Sequence, residues 1–379
     1  MKALFFTDSD KDDIYSLTVL IAQCVMNGLE IIGIVCDDGF LSYPQNISVV
    51  QFWLKDILKF NGIDVYRGRD RNQDLKQNRN FPETFITSYL DVLNNEFTYM
   101  LTDPPTYKSL DELMVKISRE PPNSISVLTT GNMTTLSYLL TEYTTLKSKI
   151  KTIFSMIGNY NVPGNVLPVN GIPPNSEYNA YLDPASFSNV AIINRTNLQI
   201  VPLDCTNNAP LTEETIAKLQ ELGAPYYENC QNEQLKNIYN QFVTMLTSTL
   251  ITENTTLYMW DLVATILFIK KSVGQTYITQ SIDIADSGKI DANYVDDNKK
   301  CIIYTYCDYD KLLTAIIESL FIPIPQEVVR ISAPIAMSAY SRGQFPSNPN
   351  SMNKRIAKSV CGTGYPCPQY IFAVTNRGI

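Results

Sequence analysis

No histidine occurs anywhere in the 379 residues. Histidine is the commonest general acid or base and a frequent zinc ligand, so its absence excludes Ser-His-Asp triads, HExxH zinc sites and imidazole proton shuttles. Carboxylates must carry any acid–base chemistry. Basic residues are in deficit: 30 Lys and Arg stand against 38 Asp and Glu, for a formal net charge of -8. A surface of that sign is unsuited to nucleic-acid phosphates or an anionic membrane, so neither is expected as a partner. Long hydrophobic runs are missing as well. The longest, such as Leu262 to Ile269, fall short of the roughly 18 residues that a membrane-spanning helix needs. Only Met1-Lys2-Ala3 precede Leu4-Phe5-Phe6, and acidic residues follow at once, leaving no room for a secretory h-region; an intracellular, cytoplasmic protein is expected. No Walker A and no complete G-x-G-x-x-G pattern occurs. The eight cysteines are mostly isolated, as at Cys24, Cys36, Cys205 and Cys230, and read as reduced thiols. Cys301/Cys307 and Cys361/Cys367 have the wrong spacing for zinc knuckles.

What is present is a globular composition, 45% hydrophobic and 18% charged, with length for a sizeable core. Ala3 to Phe6 reads as a buried strand and Ile14 to Met26 as a helix. Apolar runs at Ile31–Val35, Ile125–Leu128, Ile153–Ile157, Val190–Ile193 and Ile200–Leu203 read as further strands. Helical patterns lie between several of them, at Asn46–Phe60, Thr134–Leu140 and Glu213–Leu222. This alternation predicts an open, mostly parallel sheet with helices on both faces, whose ligands bind outside the carboxyl ends of the strands. Beyond residue 230 the pattern shifts to helices at Gln234–Thr247 and Asp261–Lys271, a strand pair at Tyr277–Ile284 and Cys301–Tyr306, and a closing helix at Tyr309–Phe321. From Pro334 onward Pro, Ser, Asn and Gly dominate. The expected organisation is one α/β domain over residues 1–333 and an irregular extension over 334–379, whose Tyr370-Ile371-Phe372-Ala373-Val374 either contacts another protein chain or packs back on its own domain.

Three clusters hold the candidate chemistry. Asp8-Ser9-Asp10-Lys11-Asp12-Asp13 packs four carboxylates into six residues at a strand-to-helix turn. An EF-hand does not fit, since its sixth position would need Gly and is Asp13, and its twelfth would need Glu and is Val19. Helix capping accounts for one or two of the acids. A hard cation such as Ca²⁺ would relieve the repulsion among four, and the spacing leaves capping and metal binding equally open. The second cluster, Gly164-Asn165 and Asn175-Ser176-Glu177-Tyr178-Asn179, offers donors and acceptors suited to sugar hydroxyls, or is an ordinary polar loop. The third, Tyr258-Met259-Trp260-Asp261, reads locally as a core tryptophan followed by a helix-capping aspartate. Arg67, Arg69, Arg71, Lys76 and Arg79 form a basic stretch before Phe81 that is either a solvated loop or a lid.

Taken in order, these pieces resemble the nucleoside N-ribohydrolase family, the inosine/uridine/purine nucleoside hydrolases, over residues 1 to about 325. Phe6 to Asp13 is similar to the family's D-x-D-x-x-x-D-D signature. Val127 to Thr134 is similar to its V-P-T-G-x-L-[ST]-N turn. Met156-Ile157-Gly158, Asn165 and Glu177-Tyr178-Asn179 are similar to its M-G-G, G-N and A-E-[FW]-N blocks, and Trp260-Asp261 to its closing aspartate. The resemblance implies a nucleoside-hydrolase (Rossmann-like) fold and Ca²⁺ held by Asp8, Asp13, Asp261 and the Thr130 carbonyl, with Asp8 also the general base. It implies that Asp12, Asn165, Glu177 and Asn179 hold the ribose, that Asp38 is a further active-site acid, and that Trp260 stacks on the base as in the purine-preferring branch. Phe85 is a candidate for the base's other face, or a core aromatic. Phe6 stands where the signature has its first aspartate, and Asn159 where M-G-G has its second glycine. Two functions are therefore carried forward: Ca²⁺-dependent hydrolysis of purine ribonucleosides by a homo-oligomer, dimer or tetramer, and a catalytically silent structural or nucleoside-binding component of an assembly.

Overall fold

The structure, a computed structural model, describes residues 1–99, 105–168, 175–193, 197–252, 257–291 and 300–325. The chain divides into two compact units, residues 1–327 and residues 328–379. The second unit, the expected extension from residue 334 and its apolar stretch at 370–374 lie outside the described residues.

Twelve strands are described: β1 (Lys2–Thr7), β2 (Glu30–Cys36), β3 (Val65–Arg67), β4 (Ile125–Thr129), β5 (Ile150–Ser155), β6 (Leu198–Ile200), β7 (Pro210–Leu211), β8 (Leu257–Tyr258), β9 (Gly274–Gln280), β10 (Asp283–Ile284), β11 (Ile290–Asp291) and β12 (Cys301–Cys307). Eight of them form one sheet in the order β3-β2-β1-β4-β5-β6-β12-β9. All its pairings are parallel except that of β12 with β9. This is the mostly parallel, mixed sheet that the sequence predicts. Successive strands run outward from β1 on one side, then β4 begins on β1's other side, so the strand order reverses between β1 and β4. In doubly wound sheets the crevice at such a reversal, outside the carboxyl ends of the strands, is where ligands bind.

Alternation along β1 feeds two separate cores. Ala3 and Phe5 enter one apolar cluster with Ile14, Leu17 and Trp53, and Leu4 and Phe6 enter another with Ile32, Val127 and Leu136. A strand buried on both faces carries a continuous apolar run, as Ala3-Leu4-Phe5-Phe6 does. Phe6, in place of the signature's first aspartate, is a fully buried core residue, and burial of such a side chain stabilises by about 1.5–3 kcal/mol. The helix Lys11–Val25 follows β1 at once, capped by Asp10 in a reciprocal box with Asp13.

Two expected strands differ. Val190–Ile193 is the last turn of the helix Pro184–Ile193. Pro184 suits a first helical position, and Asp183 Oδ1 accepts the Ser186 N–H at 3.0 Å, so the helix start outweighs the β preference of the three branched residues Val190, Ile192 and Ile193. The strand expected at Ile200–Leu203 is Leu198–Ile200, because Pro202 cannot donate to the ladder and Leu203 opens a short helix. The helices Glu83–Phe97 and Leu110–Ser118 were not expected. Among the described residues the cysteines are free thiols, and no helix is long and apolar enough to cross a membrane.

Candidate active site

A pocket of about 280 Å³ opens at the reversal between β1 and β4. Asp8 is the first residue past β1, Thr130 the first past β4 and Met156 the first past β5, and all three line it. Asp12, Asn165, Glu177, Asn179, Phe85, Trp260 and Asp261 complete the set of expected residues that the fold brings there. Residues from seven stretches of the chain, 8–12, 81–85, 130, 156, 165–167, 177–179 and 257–261, thus share one cavity.

Asp8 is held tightly. Its Oδ2 accepts the Phe40 N–H at 2.9 Å, and Gly39 leaves no spare space beside it: a Cβ there would stand 2.2 Å from that same oxygen. Asp13 lies behind Asp8, outside the pocket lining, and accepts hydrogen bonds from Thr7 Oγ1 at 2.7 Å, from Thr130 Oγ1 and from the Asp10 N–H at 2.9 Å. The Thr130 carbonyl accepts the Asn179 side-chain amide at 2.8 Å, and the Asp261 N–H donates to Asp12 Oδ2 at 3.3 Å. Glu177 caps the helix Tyr178–Leu182, its two oxygens accepting N–H groups from Asn179, Gly158 and Ala180 at 2.8, 2.9 and 3.0 Å.

These acids are all buried. Burial, then the negative charge of Asp13, pushes the Asp8 carboxyl well above its usual range. Burial followed by repulsion from Asp10 and Asp13 raises Asp12 to about 8, with Lys11 opposing. Burial and then Asp12 raise Asp261. Burial also lifts Asp13, although its hydrogen bonds oppose the shift, and it raises Glu177 to about 7 against three backbone donors. Clustered carboxyls of this kind hold protons unless a cation offsets their charge.

The ligands that the resemblance implies, the Asp8, Asp13 and Asp261 carboxylates and the Thr130 carbonyl, offer oxygen alone, and the Thr130 hydroxyl donates to Asp13. Hard oxygen donors of net negative charge fit a hard divalent cation. Among the described residues no three Asp, Glu or Cys side chains already stand in a metal-binding arrangement.

Asp38 is placed differently from the expectation. It does not line the pocket but sits buried beneath the basic segment, where Lys76 Nζ approaches its Oδ2 at 2.7 Å and the Arg71 N–H donates to it at 3.2 Å. Arg71, itself buried, also donates to the carbonyls of Asp38 (2.9 Å) and Arg79 (2.6 Å). The basic stretch is therefore a strap pinned through Arg71 and Lys76, while Arg69 and residues 72–74 remain exposed to solvent. It leads into Phe81, which lines the pocket and stacks on Tyr178 with centroids 4.3 Å apart and planes at 19°. Phe85 lines the pocket while also packing on the core.

Phe81, Tyr178 and Tyr258 also line the pocket; the sequence reading quoted them within or beside its clusters but gave none of them a role. Tyr258, two residues before Trp260, stacks on it at 5.5 Å and 27°; its sequence cue was its place in the cluster with Trp260 and Asp261. Asp10 and Lys11 also line the cavity.

A family profile described as "Inosine-uridine preferring nucleoside hydrolase" matches residues 3–314. A pyrimidine-specific ribonucleoside hydrolase, RihA, of Salmonella newport is 28% identical over 127 residues, 32% of this chain and 38% of that protein. The match thus spans little more than a third of that curated relative's length. Among solved structures, an inosine-uridine preferring nucleoside hydrolase from Bacillus anthracis superposes with a TM-score of 0.66 at 21% identity, covering 84% of this chain and 98% of that one. A purine-preferring ribonucleoside hydrolase from Gardnerella vaginalis does so with a TM-score of 0.63 at 17% identity, covering 84% and 98%. At these identities the superpositions show a shared fold.

Proposed function

This chain belongs to the inosine-uridine preferring nucleoside hydrolase family, and from that premise we propose that it hydrolyses the N-glycosidic bond of ribonucleosides, with purine ribonucleosides preferred. The observation that carries the reading is the convergence of Asp8, Asp12, Glu177, Asn179, Trp260 and Asp261 on one pocket at the strand reversal.

Asp8, Asp13, Asp261 and the Thr130 carbonyl would hold Ca²⁺, which when bound supplies a water of lowered pKa and offsets the carboxylates' charge. Asp12, Asn165, Glu177 and Asn179 take the ribose hydroxyls. Asp8 receives the proton of the attacking water as its oxygen bonds to C1′. The N-glycosidic bond breaks, its electron pair leaves with the base, and the buried carboxylates stabilise the oxocarbenium-like charge that develops between the two events. With no histidine to protonate the leaving base, Trp260 is the group that activates it, by stacking on a purine that takes a proton from solvent at N7, while the proton held by Asp8 returns to solvent after turnover.

The direct test incubates purified protein with inosine, adenosine, guanosine and uridine, with Ca²⁺ or with a chelator, and assays free base. Base release from the purines that the chelator abolishes is expected. Comparable kcat/KM for uridine and inosine would remove the purine preference. Nucleoside binding without release of any base would favour the silent alternative, which the buried Phe6 supports.

A further inference from the structure

Trp260 does not hold its own orientation. Its backbone opens the helix Trp260–Ile269, but its ring can still turn about the soft torsion next to the indole. Two contacts oppose that rotation. The indole N–H donates to Asn207 Oδ1 at 2.9 Å, and the ring lies on Tyr258. Asn207 is itself fixed, its N–H donating to the Leu203 carbonyl at 3.0 Å. The next residues run beside Trp260's own segment: β7 pairs with β8, and the Met259 N–H donates to the Ala209 carbonyl at 3.0 Å. Asn207 does not line the pocket.

We infer that Asn207 is a positioning residue for the leaving base, acting through Trp260: its side-chain carbonyl fixes the indole plane so that one face is presented to the base. This rests on the hydrolase reading and adds to it the residue that orients the stacking wall. A hydrogen bond accepted from the indole N–H also enriches the ring's π face, which strengthens its attraction for a protonated base.

The test compares wild type, Asn207→Leu and Asn207→Asp on two substrates in Ca²⁺. Inosine needs its leaving base activated; 4-nitrophenyl β-D-ribofuranoside carries a leaving group that departs unaided. Loss of one hydrogen bond that orients the ring should lower inosine kcat/KM about tenfold in Asn207→Leu. The nitrophenyl riboside should change by less than about twofold, and Asn207→Asp, which keeps the acceptor, should restore inosine turnover. Equal falls on both substrates, or an unchanged rate with inosine, overturns the inference. If the wild type turns over neither substrate, the hydrolase reading fails, and inosine binding decides the positioning role separately. The other tryptophan, Trp53, is fully buried, so ligand-dependent emission reports Trp260. A Kd about tenfold weaker in Asn207→Leu supports the inference; an unchanged Kd, or no quenching in the wild type, overturns it.

Discussion

A single missing side chain sets the geometry around the proposed base. Gly39→Ala places a carbon 2.2 Å from Asp8 Oδ2, so Asp8 must shift. Misplacement of a catalytic group by about an ångström costs on the order of a hundredfold. Steady-state kinetics should show kcat/KM falling by about that factor while circular dichroism stays unchanged; full activity in this variant would remove Asp8 from the chemistry. Glu177 makes a second prediction at this scale, one with a pH signature. Its carboxyl is raised from 4.5 to about 7 in the folded chain. Between those values the folded state holds the extra proton, so its contribution to stability falls as pH rises through the window. Glu177→Gln turns an amide N–H toward backbone donors and should cost about 1–3 kcal/mol. That deficit should narrow from pH 4.5 to 7 in chelator, as read by denaturant melts; a deficit independent of pH would mean that Glu177 titrates normally. Asp8 and Asp12 were legible in the sequence because four carboxylates in six residues exceed what a helix cap uses. Asn207 was not, because its meaning comes from Trp260, 53 residues away.

At the scale of elements, the strap from Arg67 to Phe81 is held by the buried Asp38 through Lys76 and Arg71. Asp38→Asn keeps the shape but removes the charge, leaving Arg71 buried without its counter-ion. The expected outcome is a raised KM, as Phe81 and Tyr178 lose their fixed wall, with kcat reduced less than about threefold. A collapse of kcat with KM unchanged would return Asp38 to the chemistry. The alternation of β1, β2, β4, β5 and β6 with helices could be read from apolar runs, and with it the edge where the site lies; β3, only Val65-Tyr66-Arg67, carries no such run and was not expected. The runs misled at Val190–Ile193, where four apolar residues, three of them branched, close a helix that Pro184 and Asp183 begin. Apolar content marks burial, and neighbours decide whether the buried segment coils or extends.

Across the whole molecule, the cluster of raised carboxyls couples the site to stability. If Ca²⁺ binds the folded chain alone, then at a hundred times its Kd it should add about 2.7 kcal/mol. Tm should therefore climb with the logarithm of calcium concentration, and a flat titration into the millimolar range would exclude the site. The chain divides into units at residues 1–327 and 328–379. Truncation after Ala333 should leave the Tm of residues 1–333 nearly unchanged while altering the assembly state in light scattering; unfolding on truncation would make the tail part of the core. The central claim, that Asp8 activates water against a nucleoside in this pocket, is tested most directly by free ribose released from inosine in saturating Ca²⁺ by wild type and Asp8→Asn. The account predicts steady release by the wild type and a loss of at least about a hundredfold in the folded variant; equal rates in the two proteins would contradict it.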